Sequence, residues 1–184
     1  MRIALFFCLS LLLLSCGKKR SIVITAKNPV TGQPYAGLNY SVRSSRGNGF
    51  RTEASGVLNE NGEAAVTLRI KDRLYSIRVE EPENTCYNKN ITLYFNYPYD
   101  NNHVFSFEFA ECAYLKQNIT NVNCQGTSDY MILKTSNQVN SLGATGWEFF
   151  GCNGYVGDHF SEVPFGKYYF EWEVTRNNIT NTYY

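Results

Sequence analysis

The stretch that decides the fold reads Tyr168-Tyr169-Phe170-Glu171-Trp172-Glu173-Val174. From Tyr168 onward, every second position carries a large apolar side chain, and two glutamates stand between them. Successive side chains of a β-strand point to opposite faces of its sheet, so this spacing predicts a strand with one buried face and one wet face. Strands of this kind are typical of antiparallel sheets that are covered on one side only.

The same two-residue period recurs along the chain. It is found in Leu38–Val42, Val66–Ile70, Tyr75–Val79, Ile91–Tyr97 and Phe105–Phe109. Turn-forming residues separate these stretches, among them Gly47-Asn48-Gly49, Asn59-Glu60-Asn61-Gly62 and Pro164-Phe165-Gly166. Many short strands with frequent turns predict an all-β fold, an antiparallel β-sandwich of transthyretin-like or immunoglobulin-like type.

The alternating stretches fall into two blocks. Residues 21–112 contain seven predicted strands, at 21–27, 38–44, 51–58, 64–70, 74–80, 91–97 and 104–110. Residues 113–184 contain six, at 118–123, 129–135, 146–150, 154–160, 167–175 and 178–184. We therefore expect two tandem β-rich modules, 21–112 and 113–184. The alternative is that the second block extends the first sandwich, since no Ser/Pro/Gly-rich linker marks the boundary.

The first residues have the pattern of a secretory signal peptide. Arg2 precedes an apolar run from Ile3 to Leu14, which is shorter than the ~20 residues of a permanent transmembrane helix. The end of this run, Leu13-Leu14-Ser15-Cys16-Gly17, resembles the lipobox of bacterial lipoproteins. That resemblance implies removal of residues 1–15, a diacylglycerol thioether and an N-terminal acyl chain such as palmitate on Cys16, and a membrane tether over residues 16–20. Gly17 is not the Asp that retains lipoproteins in the inner membrane, so we expect the outer membrane of the bacterial cell envelope.

Four cysteines remain after this processing. They are Cys86, Cys112, Cys124 and Cys152. An exported protein meets an oxidising compartment, where four cysteines indicate two disulfides. Three pairings are possible, and we expect Cys86–Cys112 and Cys124–Cys152 because each pair then stays within one predicted module. Zinc is the alternative, but its usual close pairs such as C-x2-C do not occur among these four, so we expect neither metal nor cofactor.

Part of the first block resembles the carboxypeptidase-regulatory-like domains. Thr31-Gly32-Gln33-Pro34-Tyr35-Ala36-Gly37 resembles their T-G-x-P-x-x-G turn, Asn59–Ala64 their D-x-x-G-x turn, and Leu74–Val79 their Y-x-I-x-V strand. The resemblance implies a transthyretin-like β-sandwich over residues 21–112. It also implies a non-catalytic module for binding, spacing or stabilisation. Asn59 and Asn61 depart from the acidic residues that are usual at this turn.

Charge and motif content argue against two classes of function, nucleic-acid binding and catalysis. The chain has 17 basic and 16 acidic residues, which is not the basic composition of nucleic-acid-binding proteins. His159 lies close in sequence to Asp158 and Glu162, yet a strand would turn Asp158 and His159 to opposite faces. The chain has no G-x-S-x-G nucleophile motif. His103 is interpreted as a turn residue, we expect no catalytic residue, and a cryptic hydrolase is the weakest alternative.

Aromatic residues make up 15% of the chain, more than one small core needs. Four of them lie close together in sequence, namely Trp147, Phe149, Phe150 and Tyr155. Aromatic residues on β-strands are more often part of the core, and the alternative is an exposed patch whose rings stack on sugars or anchor a protein partner. The sequence therefore predicts a non-enzymatic, lipid-anchored envelope protein with a binding or structural role, its partner an envelope protein or a glycan. A glycan- or peptidoglycan-binding module is the alternative.

Overall fold

A computed structural model describes residues 19–97, 103–139 and 145–184. Within these ranges the chain forms β-strands joined by turns and contains no helix, hence no helix that could cross a membrane. The predicted all-β class is confirmed. The predicted signal peptide and Cys16 lie outside the described residues.

The strands, in chain order, are β1 (Lys19–Lys27), β2 (Asn39–Arg46), β3 (Gly49–Val57), β4 (Glu63–Arg69), β5 (Arg73–Val79), β6 (Thr85–Asn88), β7 (Thr92–Tyr97), β8 (Val104–Leu115), β9 (Asn118–Ile119), β10 (Tyr130–Asn137), β11 (Thr145–Phe150), β12 (Tyr155–Val156), β13 (Ser161–Pro164), β14 (Tyr168–Arg176) and β15 (Ile179–Tyr183). Every strand pair whose register is described is antiparallel.

The chain divides into two compact units that differ from the two predicted modules. The first unit comprises Met1–Lys27, Pro34–Glu80 and Asn90–Phe107, and the second comprises Asn28–Gln33, Glu81–Lys89 and Glu108–Tyr184. The predicted boundary between residues 112 and 113 falls inside β8. The second unit includes β6, which precedes that boundary, because β6 pairs with the C-terminal half of β8.

Two sheets form the first unit. In one sheet β1 lies between β4 and the N-terminal half of β8, and in the other the order is β3-β2-β5-β7. Alternate side chains face inward, so Ile22 and Ile24 of β1 and Val42 of β2 are fully buried. Phe95 of β7 lies 4.9 Å, centroid to centroid, from Phe105 of β8, and the two sheets meet at this contact. The first unit is thus a β-sandwich whose core uses the predicted apolar positions.

The turn from β3 to β4 shows how short polar segments join the strands. The side-chain oxygen of Asn59 accepts hydrogen bonds from the backbone N–H groups of Asn61 and Glu63, both at 3.0 Å. This arrangement is an Asx turn, in which an asparagine amide serves as well as a carboxylate. Asn59 therefore supports the predicted turn without an acidic side chain.

A four-stranded sheet, ordered β11-β10-β14-β15, is the largest element of the second unit. The central pair, β10 and β14, runs from Tyr130↔Thr175 to Asn137↔Tyr168. The short strands β9 and β12 pair with each other, and the C-terminal half of β8 pairs with β6 and β13. Met131, Leu133 and Phe149 form a buried apolar cluster on one face of the large sheet.

Both predicted disulfides are present with the expected pairing. Cys86 of β6 is bonded to Cys112 of β8, and Cys124 is bonded to Cys152. All four cysteines belong to the second unit. The predicted pairing is confirmed. Our reason for it was that each pair stays within one predicted module, and the structure instead places both pairs in the same unit.

Two strands, β6 and β13, were not predicted. Each is only four residues long, and neither has a repeating apolar period. Strand β13 forms because β8 continues to Leu115, beyond its predicted end at residue 110, and pairs there with Ser161–Pro164. Strand β6 pairs with Phe109–Glu111 of β8. Strand pairing with a distant segment overrides weak local propensity here.

Candidate ligand-binding groove

The structure divides the four predicted aromatic residues between two faces of β11. Side chains alternate along the strand, so Trp147 and Phe149 share one face while Phe150 points to the other. Phe149 is only 8% exposed and belongs to the core, whereas Trp147 and Phe150 are 42% and 59% exposed. Trp147 contacts Tyr155 edge to face at 5.1 Å, and Phe150 contacts Tyr130 at 5.0 Å. The predicted single patch is thus two separate aromatic pairs and one core residue.

A groove of about 760 Å³ lies on the face that Phe149 shares. Its apolar floor comes from two neighbouring strands, with Met131 and Leu133 from β10 and Phe170, Trp172 and Val174 from β14. Residues directly opposite on antiparallel strands lie on one face, and the pairs Leu133↔Trp172 and Met131↔Val174 place these side chains together. The β10 residues are buried, whereas those of β14 are half-buried and reach the groove.

The aromatic rings of the floor form a row. Phe170 and Trp172 are stacked with their ring centroids 6.1 Å apart, and Tyr183 of β15, paired with Trp172, also lines the groove. Rows of rings on one strand arise because residues two apart project from the same face. The floor therefore presents flat apolar surfaces to a ligand.

The wall of the groove is the segment from Leu115 to Asn123. It is mostly polar, with Lys116, Gln117, Asn118, Thr120, Asn121 and Asn123 among its residues. Strand β9 in this segment pairs with β12, and Gly154 and Gly157 make the close approach possible. A Cβ at Gly157 would lie 2.9 Å from the Gln117 carbonyl oxygen, and one at Gly154 would collide with the carbonyl of Ile119.

One end of the groove is held by an ion pair. Arg176 donates from Nε to Oδ2 of Asp129 at 3.1 Å and from Nη2 to the side-chain oxygen of Asn121 at 2.9 Å. Asp129 is only 3% exposed and also accepts the backbone N–H of Gln125 at 3.0 Å. The guanidinium is therefore fixed on the sheet side and tied to the wall of the groove.

The opposite face of the same sheet is charged. Lys134 donates to Glu171 and Glu173, and these carboxylates, Glu173 first, raise the pKa of Lys134 above its ordinary value. On this face, burial raises the pKa of Tyr130, with a smaller effect from its hydrogen bond to Glu148. The predicted wet face of β14 is confirmed by these contacts.

The remaining candidate residues do not join the groove. The guanidinium of Arg20 lies 3.1 Å from Nδ1 and 3.0 Å from Nε2 of exposed His103 and donates to whichever of these nitrogens is unprotonated. His159 is exposed, and Glu162 accepts a hydrogen bond from Tyr114 at 3.1 Å, which raises the pKa of that phenol. Cys86, Cys112 and Glu162 lie close enough to share a metal, but the two sulfurs are already bonded to each other.

Sequence reasoning missed the groove. It correctly placed Phe170 and Trp172 on one face of a strand, but a period of two does not tell a covered face from an open one. A usable signal was the amide-rich segment Gln117–Asn123, which lacks the two-residue period and therefore contributes only two residues to a strand.

Comparisons with known proteins complete the description. The sequence matches no protein-family model and no curated protein. Among solved structures, the chain is similar to the shaft pilin SpaA from Lactobacillus rhamnosus GG, with 9% identity, TM-score 0.42, and coverage of 90% of this chain and 93% of that one. It is also similar to a DUF3823 family protein from Bacteroides uniformis, with 7% identity, TM-score 0.39, and coverage of 90% and 96%. Similarity at this level carries no functional argument.

Proposed function

We propose that this chain is a lipid-anchored, non-catalytic binding protein of the bacterial cell envelope, and that it binds a glycan in the groove of its second unit. The observation that carries the proposal is the pairing of an aromatic floor with an amide-rich wall around about 760 Å³. A volume in this range is typical of small-molecule and oligomer sites.

The chemistry of the two surfaces favours a sugar over an acyl chain. Sugar rings have apolar C–H faces that stack on aromatic rings such as Phe170 and Trp172, and hydroxyl groups around their edges. Amides such as Gln117 and Asn123 both donate and accept hydrogen bonds, which matches those hydroxyls. An acyl chain would leave these polar groups buried without partners, at a cost in free energy.

The groove lining also supports a non-catalytic role. Among the described residues that line it, no carboxylate, imidazole or thiol is present. These groups are common acids, bases and nucleophiles of enzymes, which also use lysine, tyrosine and threonine, present here as Lys116, Tyr183 and Thr120. Binding is the function that this set of side chains serves best.

The binding proposal is tested with a glycan array and two matched variants of the full chain. Trp172→Ala removes a ring from the groove floor, whereas Tyr169→Ala removes a ring that is 56% exposed on the opposite face of the same strand. We expect Trp172→Ala to weaken binding about 30-fold, as for a central aromatic contact worth about 2 kcal/mol. Tyr169→Ala should bind as the unmodified chain does. Absence of any glycan ligand, or equal loss in both variants, would refute the proposal.

Lipid anchoring is tested separately at Cys16. We expect Cys16→Ser to abolish the acyl mass increment, because Cys16 is the residue proposed to carry the acyl chains. Without these chains the protein should leave the membrane fraction. Cys8→Ser is the matched control, since that residue leaves with the signal peptide. Mass spectrometry of both variants checks the prediction, and an unmodified Cys16 in the wild-type chain would contradict it.

A further inference from the structure

The charged side chains that line the groove are both basic. Lys116 and Arg176 line it, and among the described lining residues there is no acidic side chain. The nearest carboxylate in the hydrogen-bond network, Asp129, is 3% exposed and is bonded to Arg176. The chain as a whole has 17 basic and 16 acidic residues, so this bias is local to the groove.

Arg176 is positioned to bind a further group. Its guanidinium has five N–H donors, and the bonds to Asp129 and Asn121 do not exhaust them. The side chain is 29% exposed and lines the groove, so the unused donors are accessible to a ligand. Asp129 and Asn121 already hold the guanidinium in place. It therefore loses little side-chain entropy when a planar carboxylate binds to its remaining N–H donors.

Lys116 supplies the second cation. It lies on the wall beside the amides, and its ammonium group is 6.0 Å from the centre of the Phe160 ring. This contact orients the side chain weakly and leaves the charge exposed. The wall and the end of the groove therefore both attract negative charge, while the floor remains apolar.

From this arrangement we propose that the groove selects acidic glycans, with Arg176 and Lys116 binding the carboxylates of uronic acid residues. The inference rests on the proposed function and adds the ligand class. A neutral glycan would give each cation only hydroxyl acceptors, whereas a carboxylate would form shorter and stronger charge-assisted hydrogen bonds that better offset the lost hydration. Carboxylate oxygens match the planar geometry of the guanidinium, and this match favours uronic acids as the ligand.

The test uses the full chain in detergent and a panel of matched glycans. Oligosaccharides of polygalacturonate, alginate and hyaluronan are compared with their carboxyl-reduced, neutral counterparts, and with neutral chitin and xylan oligosaccharides. We expect each acidic ligand that binds to do so at least tenfold more tightly than its reduced form, with an affinity that falls as salt is raised. Calorimetry measures both.

Variants locate the effect. Lys116→Gln should lower acidic-glycan affinity severalfold without changing neutral-glycan affinity, whereas exposed Lys167→Gln, outside the groove lining, should change neither. Because removal of Arg176 alone would leave a buried carboxylate unpaired, the double variant Asp129→Asn/Arg176→Gln is used, and a thermal melt checks that it folds. We expect at least a tenfold loss for acidic ligands.

The outcomes are distinct. Preference for acidic over reduced ligands that depends on Lys116 and Arg176 supports the inference. Equal or tighter binding of neutral glycans overturns it and leaves the proposed glycan function standing. Absence of binding to every member of the panel overturns both.

Discussion

Gly62 shows what a single residue contributes to the first unit. Its φ is +66°, and a Cβ at this position would lie 2.6 Å from the carbonyl oxygen of Ala26. Left-handed backbone is strained for residues that carry a Cβ, and here the space is filled by main chain that cannot move aside. Glycine is therefore required at position 62 for two reasons: its backbone is left-handed, and there is no space for a Cβ.

We expect Gly62→Ala to destabilise the protein more than Gly32→Ala. Gly32 also has a positive φ, +74°, but a Cβ there would meet nothing within 4 Å. The control should therefore cost about 1–2 kcal/mol from backbone strain alone. Gly62→Ala should cost about 1–3 kcal/mol more from overpacking. Denaturant unfolding of both variants measures the difference, and equal losses would show that the close approach is not important.

Glu53 is a residue whose placement could not be predicted. Between β2 and β3 the register changes from Val42↔Ala54 to Arg43↔Thr52, which leaves Glu53 as the extra residue of a β-bulge. Its carboxylate accepts a hydrogen bond from the fully buried Ser44 at 2.6 Å, and this bond lowers its pKa. Periodicity alone does not reveal a bulge, because one inserted residue inverts the faces that follow it.

At the scale of elements, the β14–β15 hairpin is set by two asparagines. Arg176 pairs with Ile179, so Asn177 and Asn178 form a two-residue loop, and their φ values are 50° and 63°. Positive φ at both loop positions defines a type I′ turn, for which Asn-Gly is the preferred sequence. The asparagines fit because their side chains tolerate the left-handed region.

The hairpin yields a prediction about this loop. Asn178→Gly should be at least as stable as the unmodified chain, since glycine adopts positive φ without strain. Asn178→Ala should lose about 1 kcal/mol because alanine does not. Thermal unfolding followed by tryptophan fluorescence is suitable, because Trp172 pairs with Tyr183 in this hairpin. An alanine variant more stable than the glycine variant would contradict the turn assignment.

In strand β14 the sequence predicts which side chains share a face, whereas neighbouring segments determine how each face is covered. Alternation placed Phe170 and Trp172 on one face and Glu171 and Glu173 on the other, and the structure confirms both. The charged face is satisfied locally by Lys134 of the adjacent strand. The aromatic face is covered only in part, by the wall Leu115–Asn123, and that partial cover creates the groove.

For the whole molecule, both disulfides and both tryptophans belong to the second unit. The loops closed by the bridges span 26 and 28 residues. Each cross-link of this kind stabilises a fold by about 2–4 kcal/mol, chiefly by restricting the unfolded chain. No cysteine lies among the described residues of the first unit.

Reduction should therefore weaken the second unit selectively. With dithiothreitol, we expect the unfolding midpoint reported by tryptophan fluorescence to fall. Far-UV circular dichroism reports the strands of both units, and the part of its transition that has no counterpart in tryptophan fluorescence should keep its midpoint. Iodoacetamide-blocked protein that was never reduced is the control. A common fall of both signals, or no change in either, would contradict the assignment of the bridges to one unit.

By itself the sequence determined the all-β class, most of the strands and the faces of β14, because these follow from a two-residue period and turn chemistry. For the disulfides it limited the four cysteines to three pairings, and the structure decided among them. The tertiary structure alone decided that β8 contributes to both units, that Phe149 is buried, and that Phe170 and Trp172 line a groove. The physical reason is that cover over a sheet face comes from segments distant in sequence. Local alternation shows that a face is apolar, and only long-range packing determines whether it is closed.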